Sequence, residues 1–104
     1  MAVVRVAAVG DVAQGTGTVI EAGDKTLALF NLNGTFYALD NTCTHMGGPL
    51  GEGDVQGNVV TCPWHGSQFD ITTGEVIGPP ARRPVAAYRA SVENGEVMVE
   101  VADA

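Results

Sequence analysis

Alternating hydrophobic and polar positions along this chain predict short β-strands rather than helices. The stretch "KTLALFNLNGTFYALD" (25–40) has two apolar runs around Asn33-Gly34, a dipeptide typical of a two-residue hairpin because both turn positions need positive φ. "AAYRASVENGEVMVEV" (86–101) repeats the pattern around Asn94-Gly95. No window of a dozen residues shows helical periodicity without glycine or proline. The pattern therefore predicts an all-β protein.

The two ends of the chain differ from its middle. Near the end, alternate valines predict a half-buried strand, and "VVRVAAV" and "GTVIEA" predict weaker strands near the start. The segment from about 40 to 81 is instead rich in glycine and proline, with shorter strand fragments in "NVVTC", "SQFD" and "GEVI". We interpret it as a subdomain inserted between the hairpins of a single domain, 1–104.

Composition narrows the partners that this domain can have. With 104 residues and 45% hydrophobic content, it can bury one modest core. A net charge of −7 argues against nucleic acid and anionic membranes. It permits a partner with a basic docking patch, or it serves only solubility. No apolar stretch could span a membrane, and the N-terminus lacks the basic start of a signal peptide. We expect a cytoplasmic protein.

Both cysteines and both histidines of the chain fall in one short stretch, as Cys43-x-His45 and Cys62-x-x-His65 with sixteen residues between the pairs. Lone cysteines in a reducing cytosol are more often metal ligands or thiols than a disulfide. Gly47 and Gly48 follow the first pair, and Pro63 and Gly66 lie within or after the second. Each pair can therefore lie on a loop tip, where glycines let the backbone approach an inorganic centre.

Two metals fit this ligand set. Zinc accepts two cysteines and two histidines, but its usual spacing pairs like with like, whereas each loop here mixes them. In a two-iron cluster each loop can give its cysteine to one iron and its histidine to the other. A structural zinc site and a Cys43–Cys62 disulfide with incidental histidines remain the alternatives.

The two loops, "CTHMGG" and "CPWHGSQFD", resemble those of Rieske [2Fe–2S] proteins, whose pattern is C-x-H-x(15–17)-C-x-x-H. The resemblance extends through "LALFNLNGTFYALDNTCTH" and "GEVIGPPA" to nearly the whole chain. It implies an antiparallel β-sandwich with an inserted cluster-binding subdomain and one [2Fe–2S] cluster. It further implies that Cys43 and Cys62 ligate the inner iron and His45 and His65 the outer one. A proline loop at 79–80 would cover the cluster from a third side.

Within that family, the chain resembles the small low-potential ferredoxins that serve bacterial oxygenases. High-potential members carry two further cysteines that form a disulfide, where this chain has Gly48 and Trp64. Phe69 stands where those members have a hydrogen-bonding tyrosine, and Ser67, another donor, is retained. Trp64 can be a core residue or a shield over the cluster.

The resemblance implies an electron carrier with no catalytic residues, since four protein ligands leave no obvious place for substrate. We expect a monomer that passes one electron at a time from a flavoprotein reductase to a terminal oxygenase. The alternatives are the small subunit of a nitrite reductase-type complex and a zinc-stabilised interaction domain. Other residues are interpreted as structural or solvated: Phe36, Tyr37 and Tyr88 in strands, and Glu52 and Asp54 on a loop.

Overall fold

The computed structural model describes residues 2–42, 48–64, 66–79 and 83–101. Within these residues the secondary structure is almost entirely β, as predicted. It comprises two short 3₁₀ helices, Val9–Asp11 and Leu50–Glu52, and the strands β1 Ala2–Ala8, β2 Thr16–Ala22, β3 Lys25–Leu32, β4 Thr35–Asp40, β5 Asp54–Gln56, β6 Val59–Thr61, β7 Gln68–Asp70, β8 Val76–Gly78, β9 Ala87–Tyr88, β10 Ala90–Glu93 and β11 Glu96–Val101.

The described strands form three antiparallel sheets, in the orders β1-β11-β10, β2-β3-β4-β9 and β5-β6-β7-β8. Strand β4 pairs with β9, with Ala38 opposite Tyr88 and Leu39 opposite Ala87. Strands β5 to β8 all lie between these two neighbours in sequence and pair only with one another. The Gly- and Pro-rich segment thus leaves the second sheet at β4, builds a sheet of its own, and returns at β9.

Both predicted hairpins are confirmed. Asn33 and Gly34 connect β3 to β4 with φ of 55° and 90°, and Asn94 and Gly95 connect β10 to β11 with φ of 52° and 77°. Asparagine tolerates this left-handed region better than other side chains, and glycine does so freely. The valines of β11 are buried while its alternate residues are only partly covered, which confirms the half-buried strand.

The second sheet is the middle layer of the fold, because both of its faces are buried. On one face, Leu27 and Leu29 of β3 share an apolar cluster with Val97 and Val99 of β11. On the other face, Ala28 and Phe30 share a second cluster with residues of the third sheet, Val60 and Phe69 among them. Burial on both faces explains why "LALF" is continuously apolar rather than alternating. These packed antiparallel layers confirm the predicted β-sandwich.

Among the described residues, no helix is long and apolar enough to cross a membrane.

Candidate metal centre

Of the four predicted ligands, only Cys62 lies within the described residues; Cys43, His45 and His65 lie outside them. Cys62 directly follows β6 and is 2% exposed. It belongs to the apolar cluster that contains Phe69 and Leu50. The second sheet and the third sheet thus place this sulfur at the boundary between the core and the loop that follows it.

The loop after Cys62 is closed by a backbone hydrogen bond. The Cys62 N–H donates to the Ser67 carbonyl over 2.7 Å, and Gly66 takes the left-handed conformation with φ of 77°. Ser67 is fully buried, whereas Pro63 and Trp64 are exposed. The sequence "CPWHGS" therefore begins and ends at buried residues, and its described residues between them, Pro63, Trp64 and Gly66, are exposed.

The first loop meets the second at Gly48. A Cβ atom at Gly48 would lie 2.6 Å from the Cys62 sulfur and 3.0 Å from Cγ of Trp64. No side chain fits there without displacing one of these neighbours, so the bare Gly48 backbone packs directly against the cysteine. Trp64 is 50% exposed, so its alternative interpretation as a core residue is wrong, and it lies partly over Gly48 at the surface.

The first loop is tied to the body of the protein at its base. Thr42 and Pro49 form an isolated antiparallel bridge. Asn41 accepts hydrogen bonds from two amides that follow the loop, with its carbonyl from Leu50 N–H and with its side-chain Oδ1 from Gly51 N–H, each over 2.8 Å. Asn41 was not among the residues predicted from the sequence to be functional. Its tendency to bond nearby backbone groups was the signal that could have identified it.

A third segment, 75–84, is also closed at its base, by a hydrogen bond from Val85 N–H to the Gly74 carbonyl over 2.9 Å. Gly74 has φ of 84° and packs against the Val85 carbonyl. Pro79 is exposed, and Pro80 lies outside the described residues. The returning chain then meets the end of β4, where Asp40 N–H donates to the Ala86 carbonyl over 2.9 Å.

Among the described residues between 40 and 79, the charged side chains are all carboxylates, and they serve different roles. Asp70 caps its own turn, accepting from the N–H and hydroxyl of Thr72. Asp40 accepts a hydrogen bond of 2.9 Å from the Tyr88 hydroxyl. The pKa of Tyr88 is raised to about 12, mainly by burial and to a smaller extent by this hydrogen bond and by the charge of Asp40. Glu52 and Asp54 are exposed, as predicted for solvated charges.

Tyr88, Phe36 and Tyr37 are strand residues, as predicted. Phe36 is buried, and the two tyrosines are partly buried. The Lys25 ammonium lies 5.8 Å from the centre of the Tyr88 ring, within the range of a cation–π contact. None of these three aromatic residues therefore requires a functional explanation.

These observations describe an all-β domain in which a buried cysteine on one loop packs against bare backbone of another. Glycine at that contact allows backbone to approach an inorganic centre held between the two loops. The Rieske [2Fe-2S] domain matches residues 2–89, so the chain belongs to the Rieske family.

Relatives and solved structures agree with this assignment. The ferredoxin component of the naphthalene 1,2-dioxygenase system of Pseudomonas putida is 31% identical over 98 residues, 94% of each chain. The ferredoxin of carbazole 1,9a-dioxygenase from Nocardioides aromaticivorans IC177 superposes with a TM-score of 0.91 at 28% identity, over 95% of this chain and 97% of its own. A chain in the complex of reduced oxygenase and oxidized ferredoxin in carbazole 1,9a-dioxygenase superposes with a TM-score of 0.87 at 35% identity. The match covers 93% of the present chain and 91% of the chain in that complex.

The described residues fit the cofactor of this family, a Rieske-type [2Fe–2S] cluster. Cys62 supplies a thiol at the base of a closed loop. Because Gly48 has no side chain, only backbone atoms of the first loop lie beside the Cys62 sulfur at this position. The protein is an electron carrier rather than an enzyme, like the ferredoxin components that it matches. A nitrite reductase small subunit shares the fold, with a TM-score of 0.77, but at 17% identity. Neither that alternative nor the zinc-stabilised interaction domain is favoured.

Proposed function

We propose that this chain holds one [2Fe–2S] cluster through Cys43, His45, Cys62 and His65 and carries single electrons from a flavoprotein reductase to a terminal oxygenase. When bound, such a cluster supplies reversible one-electron chemistry, at roughly −150 to +300 mV across the family. The two cysteines would hold the inner iron and the two histidines the outer one. The oxygenase partner is supported by the relatives, which are components of aromatic-ring dioxygenase systems.

The observation that carries the proposal is the contact between Gly48 and the Cys62 sulfur. It brings the end of the loop that contains Cys43 and His45 against a predicted ligand on the other loop. The two ligand pairs are far apart in sequence. A site that draws on both loops needs them to meet, and they meet at the cysteine. Burial of Cys62 also suits a sulfur that ligates the inner rather than the solvent-facing iron.

The third sheet and the three closed segments around it support a cluster-binding subdomain of about 40–81 within a single Rieske domain of 1–104. Trp64 is suited to shield one side of the site, since it lies over Gly48 while half of its surface faces solvent. The Pro79–Pro80 turn would cover a third side. We further propose that the protein is a cytoplasmic monomer, so that its exposed loops are free to meet each partner in turn.

The acidic region suggests how a partner would be selected. Residues 26–81 include five carboxylates and no lysine or arginine. Glu52 and Asp54 project into solvent, where their field reaches about 8–10 Å at physiological salt. An oxygenase or reductase with a basic docking face would therefore be attracted over a short range. Such steering raises association rates more than final affinity, which suits a transient redox encounter.

Metal analysis and spectroscopy test the cluster assignment. Protein purified from its native host should contain about two irons and two acid-labile sulfides per chain, with a Rieske-type electron paramagnetic resonance signal on reduction. Replacing any one of the four ligands with serine should abolish or alter that signal, while Ser91→Ala on the exposed strand β10 should not. Stoichiometric zinc without sulfide in the native-host protein would contradict the proposal.

Electron transfer tests the role. The reduced protein, mixed in a stopped-flow instrument with the oxidised terminal oxygenase of an aromatic-ring dioxygenase system, should be reoxidised as the oxygenase is reduced. The reductase of the same system should reduce it again when supplied with its own electron donor. A cluster-loaded protein that exchanges electrons with neither component would support the cluster and contradict this choice of partners.

A further inference from the structure

Three hydrogen-bonding groups of Asn41, its N–H, its carbonyl and its side-chain Oδ1, tie the first loop to the fold. Its N–H donates to the Thr26 carbonyl on β3 over 3.3 Å, and its carbonyl accepts from Leu50 N–H over 2.8 Å. Its side-chain Oδ1 accepts from Gly51 N–H, also over 2.8 Å. The bridge between Thr42 and Pro49 lies directly beside these bonds. One residue thus joins both ends of the 42–49 segment and anchors them to the middle sheet.

The residues that Asn41 holds are themselves fixed. Leu50 is fully buried in the apolar cluster that includes Cys62. Gly51 is pressed against β2, since a Cβ atom there would lie 2.8 Å from the Thr18 carbonyl oxygen and from Cγ2 of Val19. The 3₁₀ turn Leu50–Glu52 is therefore a rigid support between two sheets, and Asn41 binds the loop to that support.

The loop that Asn41 closes reaches the second loop at Gly48, against the Cys62 sulfur. A shift at the base of the loop would therefore change the spacing between the two loops. We infer that Asn41 is a positioning residue for the cluster: it fixes the first ligand loop relative to Cys62 through its bonds to Leu50 and Gly51. This inference rests on the proposed assignment of Cys43 and His45 as ligands, both of which lie in that loop.

The bond from Gly51 to the side chain makes this role depend on which residue occupies position 41. The buried Gly51 amide donates to Asn41 Oδ1 over 2.8 Å, so a side chain at position 41 keeps that bond only if it carries an acceptor within reach. Aspartate keeps that acceptor at the same reach. Leucine has nearly the same shape and no acceptor, so it leaves the amide without its side-chain partner and loosens the closure of the loop.

The test compares Asn41→Leu and Asn41→Asp with a control, Asn31→Leu. Asn31 is the matched residue, because its Oδ1 also accepts from a glycine N–H over 2.8 Å, that of Gly34, and its Nδ2 donates to the Val12 carbonyl. It lies in the β3–β4 hairpin and is buried on the middle sheet. Each cluster-loaded protein is measured for thermal unfolding, for the rate at which the visible absorbance of the cluster is lost, and for its electron paramagnetic resonance spectrum.

We expect Asn41→Leu to lose its cluster about tenfold faster than the wild type, as one broken bond to a buried amide implies, and to show a shifted or broadened spectrum. Asn41→Asp should restore both properties. Asn31→Leu should unfold at a lower temperature with an unchanged spectrum. If Asn41→Leu does not fold, Asn41→Ser, whose side chain is too short to reach Gly51, replaces it in the same comparison.

An unchanged spectrum in the Asn41 variants, with cluster loss no faster than in Asn31→Leu, would overturn the positioning role. Failure of the proposed function looks different, because the wild-type protein itself would then lack a Rieske signal. If replacing Cys43 or His45 abolishes the signal while the Asn41 variants keep the wild-type spectrum and rate of cluster loss, the ligand assignment is upheld and only the inference about Asn41 is refuted.

Discussion

Replacing Gly48 with alanine should destabilise the protein, although the same change at an open site does the opposite. The added methyl group would lie 2.6 Å from the Cys62 sulfur, 3.0 Å from Cγ of Trp64 and 3.1 Å from Cβ of Trp64. Favourable contacts between heavy atoms begin near about 3.5 Å. Cys62 is held by the core and by its bond to Ser67, so it has little freedom to move away.

The magnitude follows from two opposing contributions. Overpacking a well-filled site costs about 1–3 kcal/mol. The φ of Gly48 does not lie in the left-handed region. Alanine would therefore lower the conformational entropy of the unfolded chain, which stabilises the folded state by about 0.4–1 kcal/mol. The mid-values of the two contributions leave a net loss of about 1.3 kcal/mol, which lowers Tm by about 5–10 °C in a domain of this size.

Thermal unfolding and cluster loss measure the effect, with Gly10→Ala as the control. Gly10 lies in the first 3₁₀ helix, and no atom is within 4 Å of a Cβ placed there. It also lacks positive φ, so Gly10→Ala should be neutral or stabilising by about 0.4–1 kcal/mol. Gly48→Ala should unfold at a lower temperature and lose its visible absorbance faster. Two variants with the same Tm and the same rate of cluster loss would refute the packing argument.

Three further predictions concern the reduction potential, the exposed carboxylates and the ionisation of Tyr88. The wild-type midpoint potential should lie near the low end of the family's range of roughly −150 to +300 mV, and voltammetry showing a midpoint well above zero against the hydrogen electrode would contradict this. Ser67→Ala should lower the potential and Phe69→Tyr should raise it, because hydrogen bonds to cluster sulfurs raise the potential; an unchanged potential in Ser67→Ala would contradict that reasoning. Neutralising Glu52 and Asp54 together should weaken the salt dependence of the electron-transfer rate, measured by stopped flow, without a large change in potential. Rates that do not depend on salt in either the wild type or the double variant would indicate that these charges serve only solubility. Because the pKa of Tyr88 is raised, the neutral hydroxyl contributes fully to the stability of the folded protein below about pH 10, the ordinary pKa, and that contribution is lost as the pH rises towards 12. Tyr88→Phe should abolish the phenolate absorbance that appears near pH 12, and an unchanged titration would refute the assignment.

The sequence alone determined the features that depend on neighbouring residues. Asn33-Gly34 and Asn94-Gly95 predicted both hairpins, because few other dipeptides accept positive φ at two successive positions. The alternation in β11 predicted its buried face, since side chains in a strand point to opposite sides. The spacing of Cys43, His45, Cys62 and His65 predicted the ligand set, and it stays a prediction, because three of the four lie outside the described residues.

Only the tertiary structure decided what packs against those strands and loops. The run "LALF" predicted a strand, but its place in the middle layer depends on β11 and on the third sheet, which come from distant parts of the chain. The same holds for Gly48, whose need for glycine comes from Cys62 across the loop rather than from its own φ. Asn41 looked like an ordinary residue before a loop until Leu50 and Gly51 were placed beside it. Local conformational preferences extend over a few residues, whereas burial and close contact depend on residues that only folding brings together.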